Sequence, residues 1–392
     1  MTQDMKSKPE NVLILQGGGS LGAFACGVYK ALAKSKGCGK IDVVAGTSIG
    51  GVNAAIIAGC VNDQPEEALE QFWLELAENS SLRGFSVPQL FQAQAMESWS
   101  RNNFGSEFDA HVNSIGSFYQ SATVGNPKMF VPRWLLSNAS KDDSFFAPHK
   151  WTYVYDHSPL AKTLERYVDY SRLHPKGNPH ARLIITAVNV LTAEPLTFDS
   201  AQQQISPRHV LATSAYPLYF FPWVEVEEGV YCWDGGLLSN TPLREVIDAS
   251  PVADKKIFIV ENYPKNIQEL PQNLAEVLHR ARDIIFSDKT LHNVKMMKVI
   301  TSYLRFIDEL YIALEKADPS KVDPATRKKL ERKYRKFKVE RGAEILGIRY
   351  ITREEKHPHV YENADFSIDA IKSSILEGET RTREVLQRMN EL

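Results

Sequence analysis

The 392-residue sequence has few cysteines, and no two of them lie close together. The four are Cys26, Cys38, Cys60 and Cys232. Structural zinc sites use closely spaced cysteine pairs, and small secreted domains use a dense disulfide framework, so neither class fits this chain. We therefore expect a protein of a reducing compartment, the cytoplasm.

Long hydrophobic runs are also missing. Residues 1–9 form a polar tail, and the first apolar run, residues 12–15, is long enough for a strand but not for a signal peptide or a membrane helix. We expect neither an export signal nor a membrane span. Apolar residues make up 43% and charged residues 24% of the chain, which excludes a disordered, collagen-like or coiled-coil protein.

Neither sign of charge is in excess, because 46 Lys and Arg residues face 48 Asp and Glu residues. We therefore expect no nucleic-acid partner. The local exception is the basic segment 327–338, in which helical spacing places Leu330, Tyr334 and Phe337 on one face. Two interpretations stay open: a peripheral contact with a membrane or another anionic partner, or a solvated helix face balanced by acidic neighbours.

Strand and helix patterns alternate in the first sixty residues. The apolar run 12–15 is followed by a glycine cluster, an amphipathic stretch at 21–33, a second apolar run at 41–45 and a second glycine turn. This order predicts parallel strands joined by right-handed crossovers. Both glycine turns then follow the carboxyl ends of strands, where open α/β sheets bind ligands.

Later segments complete a mixed sheet. Residues 182–191 and 195–200 predict a hairpin, and residues 230–236 and 256–260 predict two further strands. Residues 65–77 begin with Pro and two Glu and continue with apolar residues at helical spacing, which predicts a helix.

The texture of the sequence predicts three regions. Residues 10–265 form the main domain. Within it, residues from about 80 to 157 are rich in aromatics and lack a period, which favours a cap or lid over the sheet edge; an aromatic core without a binding role is the alternative. Residues 266–392 read as a mostly helical C-terminal extension with one strand-like insert at 345–352.

The second glycine turn contains a candidate nucleophile. Gly46, Ser48 and Gly50 form a G-x-S-x-G motif between a strand and a helix, where a strained turn exposes the serine oxygen. The following helix N-terminus favours developing negative charge. An ordinary glycine-rich turn is the alternative.

The first glycine turn, GGGSLG, can supply backbone donors. Gly17, Gly18 and Gly19 let the backbone approach a ligand and present N–H groups together, as an oxyanion hole requires. Nucleotide binding is the competing interpretation. Against it, G-x-G-x-x-G is met only loosely, Asp42 begins the next strand instead of ending it, and the chain has no G-K-[ST].

A serine nucleophile needs a base. None of the ten histidines follows a strand within a glycine turn, whereas Asp234 ends a predicted strand and precedes Gly235 and Gly236. We expect it at the same sheet edge as Ser48, where its carboxylate can accept the serine proton. An Asx turn is the alternative for Asp234, and a Ser-His-Asp arrangement is the alternative mechanism.

These three motifs, in this order and spacing, resemble the patatin-like phospholipase family. The resemblance covers roughly residues 10–262 and includes ATSAYP at 212–217 and, after the DGG motif, Asn240 and Pro242. It implies a three-layer α/β/α fold with a mixed, mainly parallel central sheet.

The resemblance also implies roles for single residues. Ser48 is the expected nucleophile and Asp234 its base in a Ser-Asp dyad, and Gly17, Gly18 and Gly19 form the expected oxyanion hole, with no metal or cofactor. The supporting motif glycines are Gly22, Gly46, Gly50, Gly235 and Gly236.

One position departs from the family pattern. Many relatives have Lys or Arg where this chain has Leu21, so oxyanion stabilisation must rest on backbone amides. The expected function is a serine lipid acyl hydrolase acting on phospholipids or related fatty-acyl esters. Alternatives are an acyltransferase with the same acyl-enzyme, and a non-catalytic lipid-binding module that contacts membranes through residues 327–338.

Overall fold

The computed structural model describes residues 8–35, 39–78, 125–136, 147–267, 269–272, 274–287, 290–318, 321–341, 343–354 and 362–390. The strands are β1 (Glu10–Leu15), β2 (Val43–Gly46), β3 (Val131–Pro132), β4 (Tyr155–Asp156), β5 (Arg182–Asn189), β6 (Pro195–Asp199), β7 (Val224–Glu227), β8 (Val230–Asp234), β9 (Lys255–Glu261) and β10 (Ile345–Thr352). The helices are α1 (Ala23–Lys34), α2 (Ile49–Gly59), α3 (Pro65–Glu78), α4 (Ser158–Leu164), α5 (Pro207–Thr213), α6 (Leu243–Ala249), α7 (Leu274–Ser287), α8 (Thr290–Lys316), α9 (Pro324–Arg341) and α10 (Ile368–Asn390).

The centre of the fold is a mixed eight-stranded sheet with the order β10-β9-β1-β2-β5-β8-β7, in which β6 also pairs with β5. Strands β10, β9, β1, β2 and β5 are parallel, whereas β6 and β8 pair antiparallel with β5, and β7 pairs antiparallel with β8. The predicted hairpin of residues 182–191 and 195–200 is confirmed by the β5–β6 pairing. The mixed, mainly parallel sheet is confirmed with it.

Helices cover both faces of the sheet, which gives the expected three layers. Val12 and Ile14 of β1 pack on one face with residues of α6 and α8. Leu13 and Leu15 pack on the other face with residues of α1, α2, α3 and α10. A parallel strand buried on both faces needs a continuous apolar run, which explains why β1 reads VLIL.

The C-terminal region is mostly helical, as predicted, and it adds elements to the main body. Strand β10 extends the sheet in parallel beside β9. Helix α10 lies against α1 at two glycines, because a side chain on Gly27 would overlap the carbonyl of Ile375, and one on Gly378 would overlap that of Phe24. The boundaries at residues 10, 265 and 266 stay a prediction.

The predicted cap falls largely on residues 79–124 and 137–146, which lie outside the described residues. Its described parts contain β3 and β4, which pair antiparallel. Phe130 there meets Tyr155 and Phe221 edge to face, at ring distances of 5.5 and 5.6 Å. In the part of the chain that the structure describes, no helix combines the length and apolarity needed to cross a bilayer.

Candidate active site

Two strands converge along β5. Strand β2 runs parallel to β5 and ends with Gly46 opposite Ile185, whereas β8 runs antiparallel and ends with Asp234 opposite Ala187. Since β6 occupies the opposite edge of β5 over residues 184–188, β2 and β8 share one edge and their carboxyl ends approach each other. The turn after β2 and the end of β8 are therefore neighbours in space.

Ser48 lies in the sharp turn between β2 and α2. Its φ of 58° and ψ of −132° belong to a region that non-glycine residues rarely adopt. The half-buried side chain sits at the N-terminus of α2, where the helix dipole is positive. The Ser48 N–H donates to Thr213 Oγ1 at 3.2 Å, which anchors the turn to the end of α5. This is the geometry of a nucleophile elbow.

The glycines of this turn are required by close backbone packing. A Cβ on Gly46 would overlap the carbonyl of Gly50, and a Cβ on Gly50 would overlap the carbonyl of Leu15. A Cβ on Gly22 would lie 2.9 Å from the side chain of Ile49. Neither G-x-S-x-G glycine can therefore carry a side chain while β1, β2 and α2 keep these positions.

Asp234 brings a buried carboxyl group to the same place. It is 1% exposed, its Oδ1 accepts the Gly236 N–H at 2.7 Å, and its Oδ2 has no hydrogen-bond partner of ordinary geometry among the described residues. Burial raises the pKa of Asp234 to about 7, against smaller lowering effects of the Ser48 hydroxyl and the Gly236 N–H. A side chain on Gly235 would overlap Thr186 Oγ1, which explains the glycine after the aspartate. The carboxyl group therefore titrates near neutral pH, beside the serine.

The glycine loop, Gly17–Gly19, is fixed by asparagine side chains. Gly17 N–H donates to Asn240 Oδ1 at 3.0 Å, and Asn262 Nδ2 donates to the carbonyls of Gln16 and Gly17, both at 3.1 Å. A Cβ on Gly17 would lie 2.7 Å from Ser48 Cβ, so the missing side chain lets the loop lie against the serine. The Gly17 amide, one of the three predicted donors, is thus already bonded.

The other two glycines of the loop present unbonded amides. Because the Gly17 carbonyl is turned toward Asn262, the Gly18 N–H of the same trans peptide points the opposite way. Among the described residues, the N–H groups of Gly18 and Gly19 have no acceptor. Gly19 has a φ of 59°, and a side chain there would overlap the carbonyl of Asn363. The loop can therefore offer two donors to a ligand.

A buried ion-pair cluster from the C-terminal region lies behind this loop. Glu362 accepts hydrogen bonds from Arg282 at 2.8 Å and from Arg353 at 3.0 and 3.1 Å, and Arg282 also donates to Asp283 at 2.8 Å. His279, Asp283 and Glu362 offer possible metal-ligand atoms within 4.8 Å of one another. The two guanidinium groups already balance the charges of these two carboxylates, so the cluster carries no net negative charge that would attract a cation. The cluster fixes the turn 362–364 against the glycine loop.

The three buried histidines of the described residues have partners away from the candidate dyad. His157 Nε2 contacts a backbone carbonyl at 3.1 Å, His209 Nδ1 accepts the N–H of the residue that caps α5 at 3.0 Å, and His279 belongs to the ion-pair cluster. In the described ranges no histidine hydrogen-bonds Ser48 or Asp234. A histidine base has no geometric support among these residues.

Apolar side chains border the candidate site. Asp234 N–H donates to the Ala215 carbonyl at 3.0 Å, so the segment after α5 lies beside the carboxyl group. Six large apolar side chains in this segment and directly after the DGG motif are exposed: Leu218, Tyr219, Phe220, Trp223, Leu237 and Leu238. Leu21, at the family's basic position, is buried with Tyr263 and Phe286. The position at which many relatives have a basic residue thus lies in a buried apolar cluster.

A family model described as patatin-like phospholipase matches residues 13–247, well over half of the chain. The chain belongs to the patatin-like phospholipase family. The matched range contains the glycine loop, Ser48 and Asp234.

Two curated relatives are cGAMP-activated phospholipases. The protein of Escherichia coli (strain TW11681) is 33% identical over 148 residues, which cover 34% of this chain and 39% of that protein. The protein of Vibrio cholerae serotype O1 is 31% identical over 141 residues, which cover 31% of this chain and 39% of that protein. The patatin-like chain thus aligns with about two fifths of each relative's length.

Two solved structures overlap with it more loosely. VipD from Legionella pneumophila has 16% identity and a TM-score of 0.38, with 97% of this chain and 67% of VipD covered. The structure of ExoU with SpcU from Pseudomonas aeruginosa gives 18% identity and a TM-score of 0.28, with 70% of this chain and 48% of that chain covered. These overlaps are too weak to transfer the role of any residue.

Proposed function

We propose that this patatin-like protein is a serine lipid acyl hydrolase that cleaves fatty-acyl esters through a Ser48–Asp234 dyad. The observation that carries the proposal is the position of the strained Ser48 turn beside a buried carboxyl group whose pKa is raised to about 7. An ordinary aspartate, with a pKa of about 3.9, is a weak base toward a hydroxyl group. Burial strengthens the base, because it disfavours the charged carboxylate.

The reaction runs in two halves. Ser48 Oγ attacks the acyl carbonyl carbon while its proton passes to Asp234, and the proton then goes to the leaving alcohol as the ester bond breaks. In the second half, a water molecule gives a proton to the Asp234 carboxylate and attacks the acyl-enzyme. The fatty acid is released and the Ser48 hydroxyl is restored.

The Gly18 and Gly19 N–H groups donate hydrogen bonds to the negatively charged oxygen of the tetrahedral intermediate. Both N–H groups lack acceptors among the described residues, whereas Gly17 is bonded to Asn240. Preorganised donors of this kind contribute roughly 2.7 to 4 kcal/mol each to transition-state stabilisation. The loop also lies next to Ser48, which is where the oxyanion forms.

The substrate is a fatty-acyl ester of a phospholipid or related lipid. The exposed apolar side chains between residues 217 and 223 and at Leu237 and Leu238 suit an acyl chain or a lipid surface better than a polar ester. Leu21 offers no positive charge, so the head group contributes little to binding energy at that position. The acyl chain then dominates selectivity.

The basic segment of α9 is the proposed peripheral membrane contact. Part of its charge is balanced by an acidic neighbour, because Lys338 pairs with Asp308 at 3.0 Å. The Tyr334 hydroxyl donates to the same carboxylate at 2.8 Å. Six further basic side chains on the helix are exposed: Lys328, Lys329, Arg332, Lys333, Arg335 and Lys336. Lys329→Glu with Lys333→Glu should weaken binding to phosphatidylglycerol vesicles and leave binding to phosphatidylcholine vesicles unchanged. Equal binding of the wild-type protein and the double variant to phosphatidylglycerol vesicles would contradict a membrane contact through this segment.

The dyad is tested by substitution. Ser48→Ala and Asp234→Asn should each lower fatty-acid release from a panel of phospholipids, lysophospholipids and acylglycerols by roughly 10³-fold or more. Ser48→Ala should also abolish labelling by a fluorophosphonate probe. Ser239→Ala is the matched control, because this serine lies near the site and its hydroxyl donates to the nearby backbone carbonyl of Thr241 at 3.1 Å. Undiminished turnover by either dyad variant, with the thermal unfolding transition intact, would refute the proposal.

A further inference from the structure

Helix α8 carries an apolar stripe on the side that faces away from the rest of the protein. The stripe consists of Met296, Val299, Tyr303, Phe306 and Leu310, which are 45 to 62% exposed. A helix of a monomeric protein normally turns its apolar stripe toward the core. Here the core side of the helix is made by other residues, so the stripe is a second apolar face.

The packed side of α8 is distinct from this stripe. Val294, Thr301 and Leu304 are buried, at 5, 8 and 1% exposure. Further along, Tyr311 stacks on Tyr334 of α9 with ring centroids 3.8 Å apart, and Asp308 accepts hydrogen bonds from the same helix. At 100° per residue these positions lie roughly opposite the stripe. Among the described residues, contacts with the core and with α9 therefore leave the stripe uncovered.

The spacing of the stripe is 3-4-3-4, which is the heptad spacing of a coiled-coil seam. The five residues occupy positions a, d, a, d and a, and Ala313 continues the pattern at d. Ile300, Ile307 and Leu314 at position e widen the apolar face on one flank, and the a and d side chains at heptad spacing suit insertion between those of one facing helix. The spacing therefore favours a helical partner.

The seam is nearly symmetric about Tyr303. In an antiparallel pair of identical helices centred there, Met296 faces Leu310 of the second copy, and Val299 faces Ile307, next to Phe306, of the second copy. A two-fold axis relates the two helices, as in an isologous interface. When two copies of the seam pair in antiparallel orientation, each layer therefore contains apolar residues from both copies.

Charges beside the seam select the same orientation. Lys295 and Glu309 each precede an a residue, so both occupy position g on one flank of the seam, and both are exposed. Neither has an ion-pair partner among the described residues. In an antiparallel pair g faces g, which brings Lys295 of one copy to Glu309 of the other, twice by symmetry. In a parallel pair g faces e, so Lys295 and Glu309 would face the apolar residues Ile300, Ile307 and Leu314 and would have no partner of opposite charge.

We propose that the protein forms a two-fold symmetric dimer in which the α8 helices of two copies pair antiparallel through the seam Met296–Leu310. This inference is independent of the proposed catalytic function. It assigns a role to α8 that neither the catalytic machinery nor the sheet requires.

Sedimentation of the full chain across the micromolar range tests the proposal. The mass should rise from the 44.2 kDa of one chain toward twice that value as concentration increases. Tyr303→Lys should raise the dimer dissociation constant roughly tenfold or more, because it buries two like charges at the two-fold axis. Ile312→Lys on the same helix is the matched control, since Ile312 is 49% exposed but lies off the seam. A monomer at every concentration, or equal effects of both variants, would overturn the proposal.

A charge exchange tests the orientation. Lys295→Glu and Glu309→Lys should each weaken the dimer several-fold, because each places like charges at g, and the double variant should restore wild-type affinity. Failure of the double variant to restore it would overturn the antiparallel pairing. Vesicle flotation supplies the remaining arm: loss of vesicle binding by Tyr303→Lys without any change in mass would make the stripe a membrane face and overturn the dimer.

Discussion

The two sides of the candidate site are held in place by different forces. On the nucleophile side, the turn at residues 46–50 is fixed by overlap, since Gly46 and Gly50 touch backbone carbonyls that leave no room for a side chain. On the donor side, the glycine loop is fixed by hydrogen bonds from Asn240 and Asn262 and by the passing Asn363 carbonyl. The steric constraints act between residues closer together in the chain, and the backbone there cannot shift to accept a side chain. The hydrogen bonds come from residues more than 200 positions away in the chain.

The largest effect should come from filling the space on the nucleophile side. Gly50→Ala should destabilise the fold by upward of about 4 kcal/mol, because the new Cβ overlaps the Leu15 carbonyl in the centre of the sheet. Chemical denaturation measures the loss of unfolding free energy. Gly347→Ala is the control, since the nearest atom to its Cβ is an arginine nitrogen at 3.6 Å. Equal stability of the two variants would contradict the steric account.

The next largest effect should be a gain in unfolding free energy when the proposed base, Asp234, is replaced. Asp234 has a folded pKa of about 7, above the ordinary value of 3.8, so the folded protein retains a proton that the unfolded chain loses between these values. Stability therefore falls as pH rises from about 4 to 7. Asp234→Asn removes this penalty and should stabilise the fold by roughly 2 to 4 kcal/mol above pH 7, and by little near pH 4. Thermal unfolding of both proteins at several pH values checks the prediction; a pH-independent difference would count against it.

A smaller effect is expected on the donor side. Asn262→Ala removes both hydrogen bonds that orient the peptides of Gln16 and Gly17, so kcat should fall roughly 10- to 100-fold while KM changes little. Kinetics on a soluble fatty-acyl ester, corrected for the folded fraction, measure the split. Asn126→Ala is the matched control, because Asn126 is also fully buried and bonds a distant carbonyl, that of Leu76. An equal fall in kcat in the control would mean that the loss reflects general destabilisation.

The sequence predicted the side of the site that depends on local constraints. The apolar runs before both glycine turns and before Asp234 are strands, and their order along the chain led to one sheet edge, where the structure brings Ser48 and Asp234 together. The exact route differs from a plain parallel edge, because β8 approaches β2 from the opposite direction along β5. A run such as VYCWD shows that a strand forms, but not which neighbour it pairs with or in which direction.

Apart from Asn240, which follows the DGG motif, the residues that hold the donor side were not visible in the sequence. Asn262 follows a buried strand without any turn motif, and Asn363 lies in a short 3₁₀ turn near the C-terminus. Each acts through one side-chain or backbone group on a loop far away in the chain, and such pairings leave no periodic signal. The same holds for β10, whose pattern indicated a strand but not its place beside β9.

The pH dependence of kcat/KM distinguishes the role of the Asp234 carboxyl group from that of the glycine loop, and this is the smallest of the expected effects. The proposed base acts only as a carboxylate, so kcat/KM should rise about tenfold per pH unit at acid pH and level off above a pKa of about 7. Among the described residues, no hydrogen bond joins the Asn262 side chain to the Asp234 carboxyl group, so Asn262→Ala should lower the whole profile without moving its midpoint. A pH–rate profile of both proteins on an uncharged ester measures this. A midpoint near 4 in the wild type would mean that the carboxylate is solvated during catalysis, and a shifted midpoint in the variant would mean that the glycine loop helps to set the strength of the base.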